Sequence, residues 1–506
     1  MKNASAQTIA SIVRWLELTC PGSELFSDSR EIGTSTRHAV FFAYEGDSAD
    51  GRNYISKAIE NGAIAVVYES EGFSWNPEWN VPHRGVSGLK AYAGPIADAY
   101  YGSPAKSMLI IAVTGTNGKT SCTRWIGQSL SRWGKKTAVI GTLGVSVFED
   151  GKSGIAEETG YTTPDQVQLQ RKLAELRKKG VACIAMEASS IGIDQGRLNG
   201  IPIDIALFTN FTRDHLDYHH DMAAYKAAKR KLFNWPGLKH AVLNLDDPMG
   251  IELAAGLAEK IALIGFTLEN ADAGIPVLRA QDLRNRIQGI EFRVESPFGA
   301  ARVRTHLIGR FNVSNTLGVL GVLLAAGMPW DKAVFSLGEL LPPPGRMQQM
   351  GSSETPLVVI DFAHTPDAME KGLSALRQVA DDRNGRLWCV FGCGGDRDHG
   401  KRPQMGAVSE QADFVIVTSD NPRSEDPKEI MKQIVSGMQK SPQMFEDRAT
   451  AILQAVRQAS KNDVIFLAGK GHETYQEIKG VKLPFADADH VALALASRVS
   501  NMKVAV

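Results

Sequence analysis

The stretch Gly115-Thr116-Asn117-Gly118-Lys119-Thr120-Ser121 constrains this chain more than any other. It follows an apolar run over 108–112 that predicts a buried strand, and it leads into a predicted helix over 121–132. A glycine-bearing turn between strand and helix aims backbone N–H groups at one point, where the helix N-terminus adds partial positive charge. Phosphate oxygens suit that point. Lys119 can reach the outer phosphates of a nucleoside triphosphate, and the Thr120 hydroxyl can bind Mg²⁺. The loop is a shortened variant, because Val113 stands where the usual phosphate loop has its first glycine. An ordinary strand-to-helix turn has no need of Lys-Thr directly after the second glycine, so ATP is the expected ligand.

The 506 residues allow about three domains at ~150 residues each. Lys+Arg and Asp+Glu both number 56, so no net charge draws the chain to nucleic acid or to an anionic membrane. No apolar run approaches the ~18 residues of a membrane span, and the polar first eleven residues lack the core of a signal peptide. The five cysteines, Cys20, Cys122, Cys183, Cys389 and Cys393, are scattered and form no Cys-x-x-Cys pair. A reduced, cytoplasmic, monomeric protein without a membrane span is expected.

Residues 1–104 read as a small α/β unit with strands over 39–43 and 63–67, a loop over 70–88 and a helix over 91–101. Residues 105–341 alternate strands and helices, as a parallel sheet requires. Strands are expected over 137–140, 183–186, 203–209, 241–244 and 260–264, with antiparallel character over 279–305 and a helix over 312–326. The run Leu341-Pro342-Pro343-Pro344-Gly345 can continue neither helix nor central strand and marks a second boundary. Residues 342–506 return to α/β character, with short apolar strands over 357–361, 387–391, 414–418 and 464–468. Polar residues follow each strand, where open α/β sheets bind their ligands. The expected fold is α/β in three domains: a central P-loop-type parallel-sheet ATPase domain, flanked by a small N-terminal α/β domain and a C-terminal Rossmann-like α/β domain.

Two polar clusters follow strands in the middle domain, Met186-Glu187-Ala188-Ser189-Ser190 and the segment from Thr209 to Asp217. Read singly, Glu187 is a surface carboxylate and His215 a core histidine. Behind a phosphate loop they read as metal ligands, since Mg²⁺ takes few protein ligands and keeps water and phosphate oxygens. The loop, Glu-Ala-Ser-Ser and Thr212-Arg213-Asp214-His215-Leu216-Asp217-Tyr218-His219 together resemble the Mur ligases, which build the peptide of bacterial cell-wall precursors. The resemblance continues through Tyr225-Lys226-Ala227-Ala228-Lys229, Gly309-Arg310-Phe311-Asn312 and Pro344-Gly345-Arg346-Met347. It extends through the segments 362–367 and 392–398, then Asp420-Asn421-Pro422-Arg423 and Gly469-Lys470-Gly471-His472-Glu473, so it spans nearly the whole chain.

The resemblance implies an ATP-dependent ligase that joins a carboxylate to an amino acid through an acyl phosphate. It is closest to the members that add the third residue to UDP-MurNAc-L-Ala-D-Glu. Gly115 to Ser121 would hold the ATP phosphates, with Asn312, Arg346, His364 and Asp367 on the nucleotide. Thr120 would bind one Mg²⁺, and Glu187 and His215 a second. Lys119, Glu187, His215 and Lys229 would form the catalytic group. Lys229 matches a lysine that CO₂ carbamylates in the family. Ser29, within Asp28-Ser29-Arg30, and the turn Asp47-Ser48-Ala49 would hold the uridine end of the substrate. Thr162, Thr163, Ser189, Gln195 and Arg197 would hold its diphosphate, sugar or peptide.

The Asp-Asn-Pro-Arg motif bears on the amino acid. Meso-diaminopimelate resembles lysine with an extra carboxylate, which a guanidinium grips bidentately. The resemblance implies that Arg397 and Arg423 read carboxylates while Asp420, Asn421, Pro422, Gly469 and Glu473 complete that site. The same ligase using L-lysine or another diamino acid is the alternative. A folylpolyglutamate synthetase-like ligase or a nucleotide-dependent switch or scaffold are the more distant ones. The chain departs from the family pattern at two positions: Ile191 replaces a common histidine, and Tyr161 stands where asparagine is frequent.

Overall fold

The computed structural model describes residues 2–33, 38–46, 49–286 and 289–504. Most of the strands fall into three sheets along the chain. The first has four parallel strands in the order Glu24–Phe26, Ala39–Ala43, Ala63–Glu69 and His83–Val86. The last of these falls inside the segment read as loop. Three of its four residues are exposed, so it carries no apolar run to announce it.

The central sheet has eleven strands. Seven neighbours run parallel, from Val277–Arg286 through Ala262–Thr267, His240–Asn244, Ile205–Phe208, Leu109–Thr114 and Cys183–Glu187 to Thr137–Gly141. Both faces of this parallel core are covered, which explains its uninterrupted apolar strands. Alternate residues feed two separate cores: Ile110, Ala112, Ile184 and Met186 on one face, and Ile111, Val113, Cys183 and Ala185 on the other. The edges are antiparallel. One is the meander Val277–Arg286, Gly289–Ser296, Gly299–Thr305 expected from alternation. The other is the pair Gly144–Glu149 and Lys152–Ser153, absent from the sequence reading.

Chain order and spatial order part company beside Leu109–Thr114. This first strand of the domain lies between Cys183–Glu187 and Ile205–Phe208. The loops leaving its neighbours therefore diverge and open a crevice at the carboxyl ends, the usual ligand site of such sheets. The third sheet places Gln348–Met350, antiparallel, beside five parallel strands in the order Leu357–Asp361, Val464–Ala468, Leu387–Phe391, Phe414–Thr418 and Gln443–Phe445. Four of these parallel strands match the sequence expectation residue for residue.

The first sheet is fixed to the central one through a helix N-terminus. Asp165 caps the helix Gln166–Lys178 by accepting from the Val167 N–H. Its carboxylate also accepts from the Ser27 and Tyr44 hydroxyls, each at 2.6 Å. Among the described residues no helix is long and apolar enough to cross a membrane, and all five cysteines are buried free thiols.

Candidate active site

The loop after Leu109–Thr114 needs its glycines. Gly115 has φ of 151°, and a Cβ there would meet the Thr209 Oγ1 at 1.9 Å. Gly118 has φ of 88°, and a Cβ there would lie 2.6 Å from Asn315 Oδ1. A side chain at either position would both strain the backbone and displace a neighbour. The helix that follows runs Lys119–Arg132, two residues earlier than read, because Lys119 and Thr120 already belong to its first turn. Lys119 curls back, and its Nζ donates to the carbonyls of Gly115 and Thr116, both at 2.8 Å.

A second lysine reaches the same carbonyl. Lys229, on the helix Met222–Phe233, is 1% exposed. Its Nζ donates to the Gly115 carbonyl at 2.9 Å and stands 4.5 Å from the Tyr225 ring centre. Burial pushes the Lys229 ammonium well below the usual lysine range, the charge of Lys119 adds to this, and Asp214 opposes it. The neutral form of the amine is favoured here relative to that of an exposed lysine.

Thr120 and Glu187 meet beside the loop. The Thr120 hydroxyl donates to Glu187 Oε1 at 2.9 Å. The buried Glu187 also accepts from the N–H and hydroxyl of Thr142. Arg346, from the third sheet's side, donates to the Thr120 hydroxyl at 3.2 Å, lies over the Phe362 ring and leaves its buried Nε without a partner. His215 has φ of 53° and faces Asp214 at 3.5 Å. Burial holds its imidazole down to about 4 against the pull of Asp214, with Lys119 and Lys229 adding to the depression. It is therefore neutral at pH 7, the form that ligates metals.

One cleft of about 1010 Å³ joins these groups to the carboxyl ends of the third sheet. On one wall Thr163 accepts from the Ser189 N–H and lies 3.0 Å from the Ser189 hydroxyl. Arg197 donates to the Thr163 carbonyl and to Gln195 Oε1. On the opposite wall Asn421 donates to Glu473 at 2.7 Å, and the buried Lys470 bonds both. Gly469, with φ of 114°, leaves room for Asp420, whose Oδ2 would lie 2.5 Å from an added Cβ. Arg423 donates to the Gly395 carbonyl at 2.7 Å. Its backbone, with φ of 51°, is bonded to Glu477 and Lys479.

Comparison with known proteins decides the family. Residues 113–323 match the model of the Mur ligase middle domain, and residues 345–471 match that of the Mur ligase glutamate ligase domain. A UDP-N-acetylmuramoyl-L-alanyl-D-glutamate--2,6-diaminopimelate ligase of Janthinobacterium sp. (strain Marseille) is 56% identical, covering 99% of both chains. The chain belongs to the Mur ligase family. A Ralstonia nicotianae protein of the same description is 49% identical over 98% of both chains. A solved structure of a ligase of that description is 36% identical, with a TM-score of 0.64 over 94% of this chain and 95% of the other. This Mur ligase is an enzyme of the ATP-dependent ligase class.

The cleft of this Mur ligase is lined by residues 116–121, Glu187, His215, Asn312, Arg346, His364 and Asp367. Thr162, Thr163, Ser189, Gln195 and Arg197 line it too, as do Arg397, Asp420, Asn421, Arg423, Gly469 and Glu473. Gly115, Lys229 and Pro422 stand behind the lining. Ser29 is buried, with its carbonyl accepting from Asn61, and neither it nor the exposed Ala49 lines the cleft. Asp47 and Ser48 lie outside the described residues. The sequence reading passed over Thr142, Asp214 and Asp361, all of which line the cleft. Asp361 ends a strand, a signal that could have found it; Thr142 acts through a turn that carries no motif.

Proposed function

We propose that this chain adds meso-diaminopimelate to UDP-MurNAc-L-Ala-D-Glu at the expense of ATP. The observation that carries the reading is one cleft with a phosphate loop on one wall and the arginine-bearing Asp420–Arg423 and Arg397 loops on the other. The γ-phosphoryl group of ATP passes to the substrate's free carboxylate, forming an acyl phosphate. The amine of the amino acid attacks that carbonyl and phosphate leaves. The protein's contribution is positioning and charge stabilisation. Lys119 and residues 115–121 hold phosphates, while Asn312, Arg346, His364 and Asp367 hold the rest of the nucleotide.

Mg²⁺ fits this donor set. Among the described residues no three His, Cys, Asp or Glu side chains gather as a metal cage, and Mg²⁺ does not need one. Thr120 would hold one such ion and Glu187 with His215 a second, and bound there they would offset phosphate charge. Lys229, a buried amine whose surroundings favour its neutral form, suits addition of CO₂, which yields a carbamate and releases one proton. Thr162, Thr163, Ser189, Gln195 and Arg197 take the UDP-substrate, with Ser29 and residues 47–49 toward its uridine end. Arg397 and Arg423 take carboxylates of the amino acid, with Asp420, Asn421, Pro422, Gly469 and Glu473 completing that site. The reading includes a monomer in the cytoplasm with domains at 1–104, 105–341 and 342–506, a division supported by one large sheet in each.

The test is ATP-dependent phosphate release with UDP-MurNAc-L-Ala-D-Glu, comparing meso-diaminopimelate, L-lysine and no amino acid, with mass detection of product. Tripeptide from diaminopimelate alone is expected. A lysine product overturns the specificity, and phosphate release without product overturns the ligase reading.

A further inference from the structure

Tyr161 is, with Ile191, one of two cleft residues at which the chain departs from the pattern the resemblance implies. It is an exposed aromatic, 48% accessible, on the wall that carries Thr162 and Thr163. The Arg197 guanidinium carbon lies 5.0 Å from its ring centre, within the range of attraction between a cation and a π face. Arg197 is steered on its other sides by the Thr163 carbonyl at 2.8 Å and Gln195 Oε1 at 2.9 Å. One exposed ring thus stands over an arginine, and both line the same cleft.

We propose that Tyr161 is a positioning residue of the UDP-substrate site, its ring fixing the Arg197 guanidinium toward the diphosphate-bearing ligand. This rests on the reading of the cleft given above. The ring restricts where the guanidinium can stand, so less freedom is lost when the ligand binds. Asparagine at this position offers hydrogen bonds but no π face, so the two side chains orient the arginine by different means. The effect belongs to binding of the UDP-substrate, because the ring acts on Arg197.

The experiment compares Tyr161→Asn, Tyr161→Phe, Arg197→Ala and the Tyr161→Asn/Arg197→Ala pair, with thermal unfolding checking that each folds. Steady-state kinetics and calorimetric binding of UDP-MurNAc-L-Ala-D-Glu are both read. Tyr161→Asn is expected to raise KM for that substrate about two- to fivefold, as for one exposed cation–π contact, with kcat and the KM for ATP unchanged. Tyr161→Phe keeps the ring and should stay within about twofold of wild type. In the Arg197→Ala background Tyr161→Asn should have no further effect. An unchanged KM in Tyr161→Asn, an equal loss in Tyr161→Phe, or additive effects in the double variant would overturn the proposal. A wild-type protein that neither binds nor consumes the UDP-substrate would instead overturn the functional reading on which it rests.

Discussion

Lys229 has the least ordinary environment of any lysine in the cleft's surroundings: buried, bonded to one carbonyl and close to the charge of Lys119. Its folded pKa lies below the unfolded value of about 10.4. Between those two values the unfolded chain binds more protons than the folded one, so the stability linked to this group rises with pH across that window. It is present in full above the unfolded pKa and lost as pH falls to the folded one. Lys229→Met should therefore flatten the pH dependence of stability below the unfolded lysine pKa in CO₂-free buffer, and it should abolish ligation. Parallel denaturation curves for the two proteins across that range would show that the lysine keeps its proton. Arg423 makes a different prediction. Its guanidinium is already oriented by the Gly395 carbonyl, so Arg423→Ala should leave the fold intact and raise the diaminopimelate KM. The loss of a charged hydrogen bond, about 2 kcal/mol, corresponds to some thirtyfold. A KM within about twofold of wild type would remove Arg423 from the amino-acid site. Arg423 was legible from its motif. Lys229 was not: helix lysines are ordinarily exposed, and only the family resemblance chose it over Lys226 or Lys231, because burial depends on what packs over the helix.

Helices as units are secured by polar contacts the sequence does not advertise. The C-terminal helix Asp487–Val504 is joined to the helix Arg448–Gln458 by a fully buried ion pair. Arg448 Nε and Nη2 donate to the two Asp487 oxygens at 2.7 and 2.8 Å, and Nη2 also donates to the Ala468 carbonyl. Such a pair gains little over an apolar replacement but is costly to break. Arg448→Met alone should destabilise the protein by about 3–5 kcal/mol, by leaving a buried carboxylate unpaired. Adding Asp487→Leu should recover most of that. Chemical denaturation measures both, and a double variant no more stable than the single one would refute the account. The same scale shows which elements could be read. Leu357–Asp361, Leu387–Phe391, Phe414–Thr418 and Val464–Ala468 were legible because parallel strands covered on both faces are apolar throughout. His83–Val86, Gln348–Met350, Gln443–Phe445 and the hairpin Tyr475–Ile478 with Val481–Pro484 are short and largely exposed or half-buried, without an apolar run. Their pairing is dictated by the neighbouring strand rather than by their own composition.

At the scale of the whole molecule the two flanking units are attached in different ways. The first sheet's unit is tied to the central one by short hydrogen bonds to Asp165 and by Gln168 and Arg171 reaching Glu31. The third sheet's unit meets the central one across the cleft through sparser polar contacts, Asn117 to Asp367 at 3.2 Å and Arg346 to Thr120 at 3.2 Å. Two longer ion pairs cross between the same two loops, Arg213 with Asp398 at 4.0 Å and Asp217 with Arg397 at 3.9 Å. Each loop supplies one cation and one anion, so the pairs match crosswise and draw the two walls of the cleft together. Closure is what a reactive acyl phosphate requires, since open water would hydrolyse it. Exposed pairs of this kind contribute about 0.2–1 kcal/mol each, enough to bias a closing equilibrium without locking it. Arg213→Glu and Asp398→Lys should each lower kcat up to about fivefold at low ionic strength. The double exchange restores opposite charges in reversed order and should recover most of the lost rate. Raising the salt should shrink the differences among all four proteins, because exposed charges are screened over about 10 Å at 0.1 M. If the double exchange is as slow as the sum of its parts, or the differences persist at high salt, the two residues act through something other than their mutual charge and the crosswise pairing does not assist closure.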